Sequence, residues 1–340
     1  MLDSAVRAGA FPAAVAEVGD ATRPLWRAPF GRLTFDPASA PASDETVFDL
    51  ASLTKVLATT PLLMQQHERG ALGLDDPVRD HVPGWAGADR EDVTIRDLLA
   101  HCAGLAGYRP LYQTCRGRAE FETAICREPL DYPPRTQSVY SDLGFLLLGF
   151  ILERGAPLAG RFDALRVQMG EAEDLQFLPP RLWLPRIAPT EDDAWRGRVI
   201  VGEVHDENAY VLEGMAGHAG LFGTAAGVGE HARHLLQVLD GKTGVFRRET
   251  LDLFIARRAG IPGSSRALGW DTMLPSSSCG RHLSPRAFGH TGFTGTSLWI
   301  DPDRGLYIVL LTNRVHPSRA NDAIKAVRPA FHDAVIDGLG

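Results

Sequence analysis

A chain of 340 residues, 44% of them hydrophobic and 23% charged, is long enough to bury a sizeable core without disulfides or metals, as one large domain or as two lobes. A net charge of −7 and a pI near 5.9 supply no basic field for nucleic acid or an anionic membrane surface, and no local run of lysine and arginine supplies one either. The apolar stretches stop short of the roughly 18 to 20 residues that span a bilayer, the best being "LGFLLLGFIL" at 143–152.

The N-terminal stretch carries Asp3 and lacks an apolar core flanked by basic residues. No secretory leader is read there, and a cytoplasmic location is expected. Cys102, Cys115, Cys126 and Cys279 have no C-x-x-C spacing and are expected as reduced thiols. Residues 12–35 hold two β-like runs, "AAVAEVG" and "PLWRAPFGRLTF", followed by the loop "DPASAPASDET". From Leu53, "LTKVLATTPLLMQQHERGAL" places apolar residues at helical spacing, broken at Pro61, and "VTIRDLLAHCAGL" predicts a short helix capped by Thr94 and stopped at Gly104. An apolar helix runs from Leu143 to Leu152, after which the Pro-, Arg- and Trp-rich stretch to about residue 200 has no assignable period. "GTAAGVGEHARHLLQVLDG" reads as a helix capped by Thr224 and "RRETLDLFIARRAG" as the next. "GTSLWIDPDRGLYIVLLTNR" reads as two strands about a DPDRG turn, with a closing helix from about Asn321. Strands at both ends with helices between predict an α/β (α+β) fold in a single domain, 1–340. Residues 1–52 and 220–340 form an antiparallel sheet with helices, and 53–219 a mainly helical insertion.

The 35 basic residues include only three lysines, Lys55, Lys242 and Lys325. Arginine stays protonated, whereas a buried lysine can lose its proton and serve as a base. Lys55 follows Ser52 by three residues where a helix begins, so the amine and the hydroxyl share one face. Serine needs such a neighbour to become a nucleophile. Alone, the spacing fits a solvated helix lysine equally well. "VYSDLGFLLLG" sets Tyr140 in a polar loop before an apolar helix, where its hydroxyl can be presented, with Asp142 as a plain N-cap candidate. "GHTGFTGTSLWID" opens a β-rich run with His290, Thr291 and Gly292. The glycine would let a substrate backbone lie close, and the Phe293 amide could point at a developing oxyanion. In isolation, a packing tyrosine and a glycine-rich strand entry account for these two segments.

Together, Ser-x-x-Lys, Tyr-Ser-Asp and His-Thr-Gly resemble the three signatures of the serine β-lactamase and penicillin-binding superfamily. Their order and spacing are those of its class C β-lactamase, D-Ala-D-Ala carboxypeptidase and related esterase branch. The likeness extends through "FDLASLTKV", "IRDLLAHCAGL", "YSDLGFLLLG", "GHAGLFGTA" and "HTGFTGTSLWIDPDRGLYIVLLTNR", and is weak at 155–200. It implies a β-lactamase/transpeptidase-like fold, an antiparallel sheet flanked by helices with an inserted all-helical lobe. It also implies an acyl-enzyme mechanism without metal or organic cofactor. Ser52 attacks a carbonyl, Lys55 takes or relays its proton, and Tyr140 serves the leaving group. The backbone N–H groups of Ser52 and Phe293 form the oxyanion hole, and Asp142, His290, Thr291 and Gly292 hold the substrate. "GKTG" at 241–244 spells the family's third motif literally, but no strand follows it, so Lys242 is read as a surface turn.

Asp142 stands where the family has asparagine, and a carboxylate accepts hydrogen bonds but cannot donate them. Facing Lys55 it would favour the ammonium and disfavour β-lactam hydrolysis; turned away, it would cap the helix. The expected reaction is hydrolysis of esters or small amides. A β-lactamase or D-alanyl-D-alanine carboxypeptidase is the alternative reading, and a non-catalytic sensor of the same fold is another. The partner is thus a small ester, amide or β-lactam, with no nucleic acid or membrane, and the oligomeric state is left open. His218 and the group His205, Asp206 and Glu207 have no partner pattern and are read as structural.

Overall fold

The computed structural model describes residues 1–339. The two ends of the chain meet in one six-stranded antiparallel sheet. Its spatial order is Pro24–Gly31, Ala13–Asp20, Leu306–Thr312, Ser297–Asp301, Phe288–Thr291 and Asp271–Thr272. The Ala13–Asp20 strand runs beside Leu306–Thr312 in a register that sets Ala14 opposite Thr312 and Asp20 opposite Leu306. Successive side chains of a strand point to opposite faces, and both faces here are covered. Ala13, Val15, Val309 and Leu311 pack with Val228, Ala232 and Leu235 of the Ala225–Leu239 helix. Ala14, Ala16, Ile308 and Leu310 pack with Leu2 and with Phe331 of the closing helix, Ile324–Leu339. That two-sided burial is why the runs are apolar throughout instead of alternating. The edge strand Pro24–Gly31 is largely exposed, and Pro24 and Pro29 withhold two of its donors from any further strand.

The inserted segment is helical in the main, but the expected all-helical lobe also carries strands. Within it, Leu175–Phe177 pairs with Leu221–Gly223 and through it with Phe48–Asp49, which flank the segment, and Asp192–Asp193 pairs with Arg198–Val199. The stretch 155–200 holds the helix Leu158–Met169 and then pieces too short for a hydrophobic period to emerge. The Asp142–Leu152 helix is apolar on every side because it is enclosed on every side; its Gly149 touches Gly217, where an added Cβ would meet the backbone nitrogen at 2.7 Å. Among the described residues no helix is long and apolar enough to cross a membrane.

A 3-10 turn, Ala51–Leu53, leads into a π-helical turn, Lys55–Thr59, and then the α-helix Thr60–Glu68. Pro61 falls in the first α-helical turn, where its missing N–H is no loss, so it does not interrupt the segment as the spacing suggests. Thr94 caps the helix Ile95–Leu99 in a reciprocal box with Asp97. That helix ends at Ala100, before Gly104, because His101 adopts a left-handed φ of 55°.

Candidate active site

Ser52 sits on the 3-10 turn directly after Ala51, whose φ of 48° is the left-handed conformation that costs a non-glycine residue about 1–2 kcal/mol. The turn is tied down from several sides. Buried Asp49 accepts the Ala51 N–H at 2.8 Å and, through its other oxygen, the His205 N–H at 2.6 Å. Burial pushes the Asp49 carboxyl above its ordinary value, with the two amide bonds opposing. From the sheet side, Thr294 donates to the Asp49 carbonyl at 2.7 Å and Thr296 to the Leu50 carbonyl at 3.0 Å. Gly292 lies against the same turn: a Cβ there would come within 2.6 Å of the Leu50 carbonyl oxygen and 3.3 Å of the Ala51 Cβ. The space on the side of its missing Cβ is filled by the nucleophile's own turn, while Gly292 also lines the cavity on the sheet side of Ser52.

Around Ser52 Oγ the three polar groups converge. Lys55 Nζ lies 3.0 Å away and the Tyr140 hydroxyl 2.7 Å away. Lys55 is fully buried, and its remaining hydrogens go to Asp142 Oδ1 at 2.7 Å and the His218 carbonyl at 3.1 Å. Three donors thus meet three acceptors, which describes a satisfied ammonium. Burial works against that charge, but the Asp142 carboxylate and the Tyr140 oxygen outweigh it and hold the Lys55 pKa above the ordinary lysine value. Burial likewise raises the Tyr140 phenol, Lys55 opposing, so it is protonated at neutral pH. The suggested role of Asp142 as N-cap is not what forms. Ser141 caps the helix, accepting the Gly144 N–H, and Asp142 at the first helical position is free to face Lys55.

His290, Thr291 and Phe293 bound the site from the sheet edge. Buried His290 holds Nδ1 2.8 Å from the Thr291 carbonyl, an acceptor, so Nδ1 carries the proton. Burial, Arg266 and Lys55 push its pKa well below the ordinary histidine value. The neutral ring then presents Nε2 as an acceptor, and Nε2 has no partner. A substrate group held by His290, in the role that the resemblance implies, would therefore meet an acceptor at Nε2. The Phe293 N–H is engaged by no other backbone group among the described residues, and the Ser52 N–H lies at the start of its turn, so both remain oxyanion donor candidates.

Two cavities open on Ser52 and Tyr140. One, of about 300 Å³, is walled by Tyr108, Asp142, His205, Asp206, Glu207 and His218 among others. His218 Nε2 pairs with Asp206 at 2.9 Å, and His205 Nε2 with Glu191 at 2.9 Å. These histidines and carboxylates were expected to be structural; the fold brings them to the site instead, as it does Asp49, which no motif marks. The other cavity, of about 380 Å³, is lined on the sheet side by His290, Thr291 and Phe293 and by Arg266, Arg314 and Arg328. Lys242 lies exposed in the turn after Ala225–Leu239 and lines neither.

Comparison with known proteins bears on this geometry. Residues 2–330 match the Beta-lactamase family model. The chain is 34% identical over 364 aligned residues to the N-acetylmuramyl-L-alanine amidase of Bacillus subtilis strain 168, covering 93% of this chain and 80% of that one. Among solved structures it superposes on a class C β-lactamase from Rhodobacter sphaeroides with a TM-score of 0.75 at 20% identity, over 98% of both chains. It superposes on EstCE1, described as a hydrolase with promiscuous acyltransferase activity, with a TM-score of 0.74 at 22% identity, over 95% of this chain and 96% of that one. At those identities the two structures speak to the fold alone. With a family match over nearly its whole length and a hydrolase as its relative, the chain belongs to the β-lactamase family, within the serine β-lactamase and penicillin-binding superfamily, and is a serine hydrolase.

Proposed function

We propose that the protein hydrolyses esters or small amides through an acyl-enzyme on Ser52. The observation that carries this reading is the simultaneous reach of Lys55 Nζ and the Tyr140 hydroxyl to Ser52 Oγ, at 3.0 and 2.7 Å. Ser52 Oγ forms the new bond to the carbonyl carbon while its proton passes into the Lys55–Tyr140 pair. The oxyanion rests on the Ser52 and Phe293 N–H groups. Collapse breaks the bond to the leaving oxygen or nitrogen, which takes its proton from Tyr140. Water then attacks the ester on Ser52 and loses a proton to the same pair; the bond from the acyl carbon to Ser52 Oγ breaks, Oγ takes that proton back, and the acid is freed. Because Asp142 favours the ammonium, Lys55 serves as a base only once it has lost a proton, which moves the working range upward in pH. Kinship with the Bacillus subtilis amidase favours an amide within this class. Four buried thiols, none in a disulfide, are in keeping with a cytoplasmic site of action.

A fluorophosphonate probe, followed by intact mass and peptide mapping, tests the reading. One phosphonyl group on the peptide containing Ser52 is expected. Labelling of Ser141 or Ser297 instead, or no labelling, would overturn it; the last result favours a sensor of the same fold.

A further inference from the structure

The cavity on the sheet side of Ser52 is rich in uncompensated positive charge. Arg328 is 7% exposed, yet it has no ion-pair partner among the described residues. Its Nη2 reaches the Gly292 and Thr296 carbonyls at 3.4 and 3.1 Å, and its Nε is buried without an acceptor. Arg314 likewise bonds carbonyls alone, those of Phe293, Arg319 and Asn321. Arg266 makes no side-chain hydrogen bond; it lies over the Tyr140 ring at 5.2 Å, with its nearest carboxylate, Asp271, at 4.0 Å. Lys325, also on this wall, is matched by Asp322 at 3.2 Å. Desolvation lowers Arg328 to about 10 with no anion opposing it, and lowers Arg314 below its ordinary value against the pull of Asp322 and Glu191.

A buried cation normally has a paired anion. Three guanidinia against one carboxylate leave an excess of two charges at this wall. His290, the neighbouring motif residue, is neutral and presents an acceptor, so it adds no charge of its own. The carboxylates of the other cavity are already paired: Asp142 with Lys55, Asp206 with His218 and Glu207 with Arg319. Tyr140, which in the reading above protonates the leaving atom, carries Arg266 on its ring, and this sets the guanidinia on the side from which a leaving group is served.

We propose that the leaving group is a dianionic amine, an amino acid or short peptide bearing a second negative charge besides its α-carboxylate, and that Arg266, Arg314 and Arg328 select it. This deepens the acyl-enzyme reading above and rests on it. The two negative charges complete the ion pairs that the fold leaves open, Arg328 from the floor of the cavity and Arg266 from above the tyrosine.

The test is competitive inhibition of p-nitrophenyl butyrate hydrolysis by N-butyryl derivatives of alaninamide, alanine, glutamate and O-phosphoserine, which needs no turnover of the amide. The inhibition constant is expected to fall roughly 10-fold or more from alaninamide to alanine and again from alanine to the glutamate and O-phosphoserine derivatives, the usual worth of a charge-assisted hydrogen bond. A lower constant for O-phosphoserine than for glutamate supports a phosphate as the second charge, and the reverse supports a carboxylate. Arg328→Gln is expected to cut the glutamate-to-alaninamide preference roughly 10- to 100-fold. Because Arg328 is buried, Arg266→Gln, on a more accessible side chain, provides a second reading of the same ratio. Equal constants across the series, with the ester still hydrolysed, would overturn the dianion proposal and leave the acyl-enzyme reading standing. Loss of ester hydrolysis and of Ser52 labelling in the unmodified protein would overturn that reading itself.

Discussion

Asp142→Asn removes one charge 2.7 Å from Lys55 Nζ and keeps the side chain's size. At an effective dielectric of about 20, two unit charges at that separation attract by about 6 kcal/mol. The asparagine oxygen can still accept from Lys55, so part of that interaction survives. The net effect is expected within the one to three pKa units usual for an opposite charge at contact distance. The sign follows from which form is favoured: the carboxylate stabilises the ammonium and raises the Lys55 pKa, so its removal lowers it. The assay is the pH dependence of kcat/KM for p-nitrophenyl butyrate. In the unmodified protein the rate should climb into the alkaline range; in Asp142→Asn the midpoint of that rise should fall by about one to three units. Nitrocefin adds a second readout. The asparagine NH₂ supplies a donor toward an amide carbonyl that the carboxylate lacks, so the nitrocefin-to-ester ratio should increase on substitution. An unmoved midpoint with an unchanged ratio would refute the claim that Asp142 sets the protonation of Lys55.

Tyr140→Phe removes the hydroxyl 2.7 Å from Ser52 Oγ and should lower ester turnover by roughly two to four orders of magnitude. Lys242→Ala, in an exposed turn away from both cavities, should leave turnover unchanged, and circular dichroism should report the same fold for both proteins. Gly292→Ala drives a Cβ to within 2.6 Å of the Leu50 carbonyl and should displace the nucleophile turn, seen as loss of Ser52 phosphonylation and a lower melting temperature.

The parts of the site that were legible beforehand are those held together by short-range geometry. Ser52 and Lys55 share a helical face, and Tyr140 and the 290–293 run carry local patterns of their own. Which way Asp142 points was not legible, because both a cap and a lysine partner use the same oxygens; the neighbouring Ser141 took the capping role and decided it. His205, Asp206, Glu207 and His218 read as structural because what brings them to Ser52 is long-range: the His218 carbonyl meets Lys55 across 163 positions. Asp49 meets His205 across 156 positions, and no periodicity encodes such a meeting. The three guanidinia come from a loop at 266, the turn after a strand at 314 and a helix at 328. In a chain so rich in arginine, composition gives no hint which ones lack an anion. The strands at both ends were legible as apolar runs flanked by turns, whereas the two- and three-residue strands within 155–200 are too brief to leave a period.

The pairing of Ala13–Asp20 with Leu306–Thr312 also has a consequence for synthesis on the ribosome. The N-terminal hairpin emerges first, but its principal neighbour in the sheet follows only after roughly 290 further residues, which at about 5–20 residues per second is a delay of about 15 to 60 s. For that interval one edge of the hairpin is bare, and Ala14, Ala16 and Val18, destined for the core, face solvent. Ser52, too, is translated long before Phe293 and Gly292 arrive to brace its turn. The nascent chain is therefore chemically silent until about six-sevenths of it has been made, and the appearance of ester hydrolysis during translation would mark closure of the sheet.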